Sequence, residues 1–179
     1  MKELVELLAA MASKKGEAAS PLELFLDMCG RVVKTASGVF SCQADEVAIL
    51  ILTSDAKHLR FAAPRRFAEL GTIPISKRES IAVGVFTKKA GEVMNNVPMV
   101  RHVSFFESVK LRDVPAPIQK MITAPILLAG EAVGVAQISK KGASSAAAGS
   151  DFTPADLRRA EALFESVAPY LMDARPDRF

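Results

Sequence analysis

The stretch of sequence that decides the fold is MITAPILLAGEAVGVAQI, residues 121–138. It contains two apolar segments, Met121 to Leu128 and Ala132 to Ile138, on either side of Ala129-Gly130-Glu131. Two such segments joined by a short glycine-containing turn predict an antiparallel β-hairpin. One face of its second strand carries only small residues: Ala132, Gly134 and Ala136. These small side chains predict that a helix or a ligand approaches this face closely.

Other strands are predicted on both sides of the sequence midpoint. Residues 47–52 are the continuous apolar run VAILIL, which predicts a central strand covered on both faces. Leu59 to Ala62 follows a turn at residues 54–57, so the two segments predict a second hairpin. Ile73-Pro74-Ile75 is predicted to be extended because the residue before a proline avoids the helical region, and Glu92-Val93-Met94 is predicted as a short strand.

The two ends of the chain are predicted to be helical. Apolar residues at helical spacing predict a first helix within residues 1–15; they are Leu4, Leu7, Leu8 and Met11. The last helix begins with Thr153 as N-cap, Pro154 at its first position and Asp156 reaching back to the cap. Pro169 lies within this helix and is expected to kink or thin it near its end.

Two internal helices carry start signals of the same kind. Ser20 is the predicted N-cap of the second helix, with Pro21 next and Glu23 closing a capping box. For the third helix, Ser76 and Glu79 form the predicted capping box, and the helix runs to about Lys89. The nine residues 142–150, rich in Gly, Ala and Ser, are predicted to form a flexible loop.

Length and composition predict one globular domain. The chain has 179 residues, of which 50% are hydrophobic and 24% charged, which suits a single domain with a buried core. The expected division is an N-terminal helix over residues 1–15, one domain over residues 20–174 and a tail at residues 175–179. Strands in antiparallel pairs, bracketed by helices at both ends, predict the α+β class.

Several classes of protein are disfavoured by charge and patterning. The net charge of +3 comes without a concentrated basic stripe, so no nucleic-acid partner is expected. No apolar run approaches the ~20 residues of a membrane span, and the N-terminus is not a signal peptide. Two cysteines, Cys29 and Cys42, are too few for a disulfide scaffold or a structural zinc site. We expect a cytoplasmic protein.

The order of elements and three stretches of sequence resemble a GAF domain, a small-molecule sensing module of signalling proteins. The resemblance covers about residues 22–171. The stretches are Ile73-Pro74-Ile75 followed by Ser80-Ile81-Ala82 and Gly91-Glu92-Val93, then residues 124–128 with 134–136, and residues 151–156. The resemblance implies about six antiparallel strands in one sheet, a ligand pocket on one face, and terminal helices on the other face that pair in a dimer.

A signature found in the GAF domains that bind cyclic nucleotides is partly present. Lys140, Phe152 and Asp156 match it, while Ser139 and Leu157 depart from it. The resemblance implies that the lysine and Asp156 pair with each other and hold the sheet to the last helix. A shift of one residue in the alignment would make Lys141 the signature lysine instead of Lys140.

The predicted ligand pocket lies under the third helix and the segment from Asn95 to Pro117. Its candidate residues include possible anion-binding groups, aromatic lining and polar groups: Arg65, Arg66, Ser80, Phe86, Asn95, Asn96, Phe105, Phe106 and Gln137. Each candidate has a structural alternative. The arginines would be a surface pair without a ligand, and the aromatic residues would simply fill the core.

Catalysis is disfavoured because no nucleophile, metal or phosphate-binding motif occurs in the sequence. Cys29 lies on the apolar stripe of a helix, where a thiol is usually inert. Because metal-ligating motifs are also absent from the sequence, no cofactor or metal is expected. The sequence favours a stand-alone, non-catalytic sensor that binds a small molecule. It would signal as a homodimer through its terminal helices to a separate signalling protein. The alternative is a protein-interaction module whose pocket is collapsed.

Overall fold

The computed structural model describes residues 1–67, 71–99 and 116–179. These residues form four α-helices: α1 (Lys2–Ala12), α2 (Pro21–Phe40), α3 (Ile81–Lys88) and α4 (Pro154–Ala174). They also form six strands: β1 (Val47–Leu52), β2 (His58–Ala63), β3 (Thr72–Pro74), β4 (Glu92–Met94), β5 (Ile118–Leu128) and β6 (Glu131–Lys141). The predicted short helix near residues 105–111 lies outside the described residues. No helix in the described ranges is long and apolar enough to cross a bilayer.

The six strands form one antiparallel sheet in the order β3-β2-β1-β6-β5-β4, which confirms the predicted α+β architecture. The β5–β6 hairpin turns at Ala129 and Gly130, whose φ angles of 51° and 80° are both positive, as a two-residue type I′ turn requires.

At Gly134 the small face of β6 allows the neighbouring strand to approach closely. A Cβ added at Gly134 would lie 2.4 Å from the carbonyl oxygen of Leu50 on the neighbouring strand β1. Glycine is therefore required by the pairing of two strands.

One face of the sheet is covered by α2 and α4, with α1 packed against both helices. Helices and strands share a continuous apolar core here, and Phe25, Phe164 and Ile138 in it are fully buried. Because the terminal helices α1 and α4 lie on the same face, this part of the predicted layout is confirmed. The tail also joins this core, since the Phe179 ring lies 4.9 Å from that of Phe25 at an edge-to-face angle.

The opposite face of the sheet is covered by α3, which packs on β5 and β6. Its core is smaller and contains Leu50, Phe61 and Val135 from the strands with Val83 from α3. An adjoining cluster of Val97, Ile118 and Met121 extends it toward β4 and β5. The sheet therefore separates a large helical core from a smaller layer on the α3 side.

The helix starts are confirmed at α4 and corrected at α3. Thr153 and Asp156 form the predicted capping box, with the Asp156 carboxylate accepting from the Thr153 amide at 2.9 Å. At α3 the N-cap is Ser80, because its hydroxyl accepts from the Val83 amide; Ser76 lies in the preceding turn. Both serines precede the same apolar residues, and the choice between them depends on where the chain leaves β3.

At α2 the cap is confirmed in part. Ser20 Oγ accepts from the Glu23 amide at 3.3 Å, as predicted. The Glu23 carboxylate does not close a capping box; it lies 2.6 Å from the Arg65 guanidinium, a stronger charged partner than a backbone amide.

Lysine side chains hold the loop at residues 142–150 to the sheet. Lys120 is buried and forms an ion pair with Asp151 at 2.6 Å, and it also donates to the Gly149 carbonyl. Lys140 donates to the Ser150 carbonyl at 2.8 Å. These bonds place the loop at the start of α4.

Candidate functional site

Buried polar side chains lie in the centre of the sheet face that α3 covers. Gln137 on β6 is opposite Ala48 of β1 and Thr123 of β5 in the strand register. Gln137 is 4% exposed and Thr123 1% exposed. Alternation along β6 puts Gln137 on the same face as Val135, which belongs to the α3-side core. A carboxamide is thus enclosed in a mainly apolar layer.

The carboxamide of Gln137 is only half satisfied. Its Nε2 donates to Thr123 Oγ1 at 3.3 Å, while its Oε1 is buried and has no hydrogen-bond partner among residues 1–67, 71–99 and 116–179. Because a hydroxyl both donates and accepts, exchanging the amide oxygen and nitrogen would still leave one polar atom unpaired. Such a group is unusual in a folded protein and costs about 1–3 kcal/mol.

Two other buried polar side chains, Ser80 and Ser139, have their own partners. Ser139, two residues further along β6, donates to the Glu46 carbonyl at 3.0 Å. Ser80, a predicted ligand contact, is 7% exposed and caps α3 as described above. Neither hydroxyl satisfies Gln137, so within the described residues the Gln137 oxygen remains the polar group available to a ligand.

The other predicted pocket residues have different surroundings. Phe86 is half-buried and packs against the α3-side core. Asn95 forms a two-bond clamp, since its Nδ2 donates to the Phe152 carbonyl and its Oδ1 accepts from the Phe152 amide, both at 2.9 Å. Asn96 is exposed. Phe105 and Phe106 lie outside the described residues.

Arg65 and Arg66 line a separate cleft between α2 and the end of β2, whose lining contains no other predicted site residue. Arg65 pairs with Glu23 and with Asp27, the latter at 2.8 Å, and these hydrogen bonds raise the pKa of its guanidinium. Arg66 pairs with Asp45 at 2.8 Å. Both guanidinium groups therefore already bind carboxylates of the chain itself.

The residues of the cyclic-nucleotide signature make other contacts than the lysine–aspartate pair that the resemblance implies. Lys140 Nζ lies 4.4 Å above the Phe152 ring. In the described parts of the chain no ion pair within 4.0 Å joins Lys140 to Asp156, and Lys141 pairs with Asp45 at 2.9 Å. Hydrogen bonds from Thr153 lower the pKa of Asp156, so its charge serves the helix cap.

The two thiols lie in surroundings that suppress nucleophilic chemistry. Cys29 is fully buried in the helix-side core, and burial strongly raises its pKa. Burial and the nearby Glu46 carboxylate raise the pKa of Cys42 to about 11. Since the thiolate is the reactive form, neither sulfur is activated. Among residues 1–67, 71–99 and 116–179, no group of three or more His, Cys, Asp or Glu side chains could hold a metal ion.

Sequence reasoning missed Thr123, the partner of Gln137. The available signal was a hydroxyl within the otherwise apolar β5 segment, on the strand predicted to pair with that of Gln137. It also missed Arg31 and Lys34, which line the cleft beside Arg65 and Arg66. They lie on the polar side of an amphipathic helix, where charged residues are expected in any case.

Comparisons with known proteins identify the fold. No protein-family model and no curated protein sequence matches the chain. Two similar solved structures are GAF domains of phosphoenolpyruvate-protein phosphotransferases. That of Coxiella burnetii has a TM-score of 0.65 at 12% identity, covering 96% of this chain and 94% of that one. That of Acinetobacter has a TM-score of 0.60 at 11% identity, covering 97% and 95%.

An enzyme shares the same fold. The free methionine-R-sulfoxide reductase of Neisseria meningitidis, solved with its substrate, has a TM-score of 0.55 at 14% identity and covers 96% of this chain and 90% of its own. The chain therefore has the GAF-domain fold, as the sequence resemblance predicts. Because one fold carries many functions, the site must decide between a sensor and an enzyme.

Proposed function

We propose that this protein is a non-catalytic regulatory module that binds a small molecule on the α3 side of its sheet, with Gln137 as the recognition group. The GAF-domain fold supports a sensor, since it is found in signalling proteins, and the suppressed thiols argue against a cysteine enzyme. The two free cysteines are consistent with the cytoplasm.

The observation that carries this proposal is the unpaired oxygen of Gln137. A buried acceptor without a partner destabilises the folded protein, so its presence in an apolar layer favours use by a ligand. The ligand would donate an N–H or O–H to Gln137 and place an apolar body against the side chains around it. A site with a mostly apolar lining and few polar groups is typical of small-molecule pockets.

The test combines native mass spectrometry of freshly purified protein with a thermal-shift screen of nucleotides, amino acids and aromatic metabolites. A ligand at about a hundred times its Kd stabilises the folded state by about 2.7 kcal/mol, which a melting curve detects. We expect a bound compound or a screening hit whose stabilisation is lost in Gln137→Met.

The matched control is Gln119→Met, which also removes a buried carboxamide from the sheet. Gln119 already has a partner, the Gly142 carbonyl at 2.8 Å. Its replacement should leave the ligand effect intact. Absence of any bound compound and any hit, or equal stabilisation of wild type and Gln137→Met, would contradict a ligand at Gln137.

We also propose a homodimer through the terminal helices. Leu4 and Leu8 of α1 are buried within the chain, but Leu7 is 42% exposed and Met1 54% exposed. Met1 contacts Ser166 of α4, while Leu7 lines a cleft with Arg31 and Lys34 of α2. These exposed apolar side chains at α1 offer a surface for a second copy. Light scattering should give twice the chain mass, and Leu7→Glu should give a single chain mass; a wild-type monomer at high micromolar concentration contradicts this.

A protein-interaction module without a ligand is the second candidate. It is favoured by the exposed apolar side chains Leu22 and Val39 on α2, in addition to those near α1. A crystal structure of untreated protein distinguishes the candidates. A sensor would show a ligand or solvent against Gln137, whereas an interaction module would show protein side chains that close the space.

A further inference from the structure

A groove lies between α2 and the end of β2, away from Gln137. Its volume is about 550 Å³, and its lining consists of Leu26, Asp27, Gly30, Arg31, Val33, Lys34, Ala44, Asp45, Ala63, Pro64, Arg65 and Arg66. The α2 wall extends from Leu26 to Lys34, about 12 Å along the helix axis. Seven of the twelve lining residues are exposed, so the groove is open along its length.

Ion pairs hold the two walls of the groove in place. Arg65 joins the end of β2 to Glu23 and Asp27 of α2 at 2.6 and 2.8 Å. Arg66 joins the same segment to Asp45, which also accepts from Lys141 of β6. The groove is thus framed by fixed contacts, and its acidic side chains are neutralised by the chain's own cations.

Two cationic side chains of the groove remain unpaired. In the described ranges, no ion pair or hydrogen bond engages the side chains of Arg31 and Lys34, and both residues are exposed. They are three positions apart on α2, where side chains are neighbours on one helix face. Because Asp27 and Asp45 are already paired, the groove has an excess of positive charge.

Gly30 also lines the groove and leaves space there because it has no side chain. It lies in the middle of α2, where glycine is a poor helix former. A Cβ added there would meet no atom within 4 Å. The floor near it is apolar, with Val33 and Ala63 buried and Pro64 half-buried.

We propose that this groove binds a short acidic segment of a partner protein in an extended conformation. The acidic side chains would bind Arg31 and Lys34, and an apolar side chain would pack on Val33, Ala63 and Pro64. At about 3.3 Å per residue, the α2 wall accommodates three to four extended residues. Charge complementarity favours this partner, and an open groove suits a segment that keeps one side in solvent. The proposal does not depend on a ligand at Gln137.

The experiment selects peptides from a phage-displayed library of random short peptides on the full chain, with counter-selection on Arg31→Glu/Lys34→Glu. We expect the selected peptides to be rich in Asp and Glu. Fluorescence polarisation of labelled peptides should show binding weakened at least about tenfold by the charge reversal. Arg158→Glu/Arg159→Glu on α4, which changes net charge equally outside the groove, should leave binding unchanged.

A second pair of variants tests the groove without altering charge. Gly30→Leu should fill the open space and weaken binding at least about tenfold. Gly38→Leu is the matched control, since it adds the same side chain to open space elsewhere on α2. The proposal is overturned if no peptides are enriched, if the enriched peptides lack acidic residues, or if Gly30→Leu binds them as wild type does. A changed light-scattering mass in either groove variant would instead make the groove an interface between copies of this chain.

Discussion

The two faces of the sheet differ in how their buried groups are packed and hydrogen bonded. On the helix-covered face, α1, α2 and α4 share one apolar core in which Phe25, Phe164 and Ile138 have no exposed surface. On the α3 face the apolar layer is smaller and encloses Gln137, whose carboxamide oxygen has no partner in the part of the chain that the structure describes. The larger apolar core therefore lies on one side of the sheet, and the buried oxygen that lacks a described hydrogen-bond partner lies on the other.

This difference separates structural from functional demands within one domain. A fully packed core offers no group to a ligand, whereas an unpaired buried acceptor does so at the expense of stability. In the proposed sensor, the ligand side and the terminal helices therefore lie on opposite sides of one sheet. Four measurements test the comparison, taken from the largest expected effect to the smallest.

The largest effect is expected in the helix-side core. Phe164→Ala should lower the free energy of unfolding by about 3–5 kcal/mol, because it leaves a cavity in a fully buried site. Phe86→Ala on the α3 face should lower it by only about 1 kcal/mol, since that ring is half-buried. Urea denaturation measures both values. Equal losses would mean that the two faces contribute alike to stability.

The next effect appears at alkaline pH. Burial raises the pKa of Cys29 above its ordinary value of 9.0, so the unfolded chain loses the thiol proton first. The folded state is therefore fully favoured below about pH 9 and loses about 1.4 kcal/mol per pH unit above it. Cys29→Ala should reduce the measured slope by the Cys29 contribution in urea denaturation between pH 8 and pH 10.5, leaving that of Cys42.

Cys42 provides the comparison within the same experiment. Its pKa is raised to about 11, so its contribution declines from pH 9 and levels off above pH 11. Up to pH 10.5 the losses from the two thiols add, so part of the alkaline slope remains in Cys29→Ala. An alkaline loss that persists unchanged in Cys29→Ala would show that the helix-side core does not exclude water.

A smaller effect of opposite sign is expected on the α3 face. Gln137→Met should raise the free energy of unfolding by about 1 kcal/mol, because it removes an unpaired buried oxygen and only one long hydrogen bond to Thr123. Gln119→Met, which removes a satisfied amide, should lower it by a similar amount. Urea denaturation of both variants measures the difference. A loss in Gln137→Met would show that the carboxamide is structural.

The smallest effect concerns ion pairs at the boundary of the two faces. Partial burial raises the pKa of Asp45, but the hydrogen bonds and charges of Lys141 and Arg66 together outweigh it and lower that pKa. Its contribution is thus present above its ordinary pKa of 3.8 and is lost as pH falls through the lowered folded value. Asp45→Asn should cost less than about 1 kcal/mol at pH 7 and nothing at strongly acidic pH.

The control for Asp45 is Glu165→Gln on the exposed side of α4, which removes an equal charge that forms no ion pair with the residues that the structure describes. Its unfolding curve should match wild type at both pH values. A difference between Asp45→Asn and wild type that stays constant down to strongly acidic pH would indicate a packing effect rather than an ionic one.

Most of the fold was predictable because its signals are local. The β5–β6 hairpin, the central strand β1 and the cap at Thr153 each depend on residues that are close together in the sequence. The site was less predictable. Gln137 is detectable as a polar residue in an apolar strand, but nothing in its neighbours along the chain indicates that its oxygen lacks a partner.

By itself the sequence determined which segments form strands and helices and which face of each is apolar, because periodicity and capping act between neighbouring residues. Only the tertiary structure decided the partners of the polar groups. Glu23 binds Arg65 instead of capping α2, Asn95 binds the backbone of Phe152, and Gln137 donates to Thr123. Hydrogen bonds require contact within about 3 Å, and which distant residues meet at that distance is set by the packing of the whole chain.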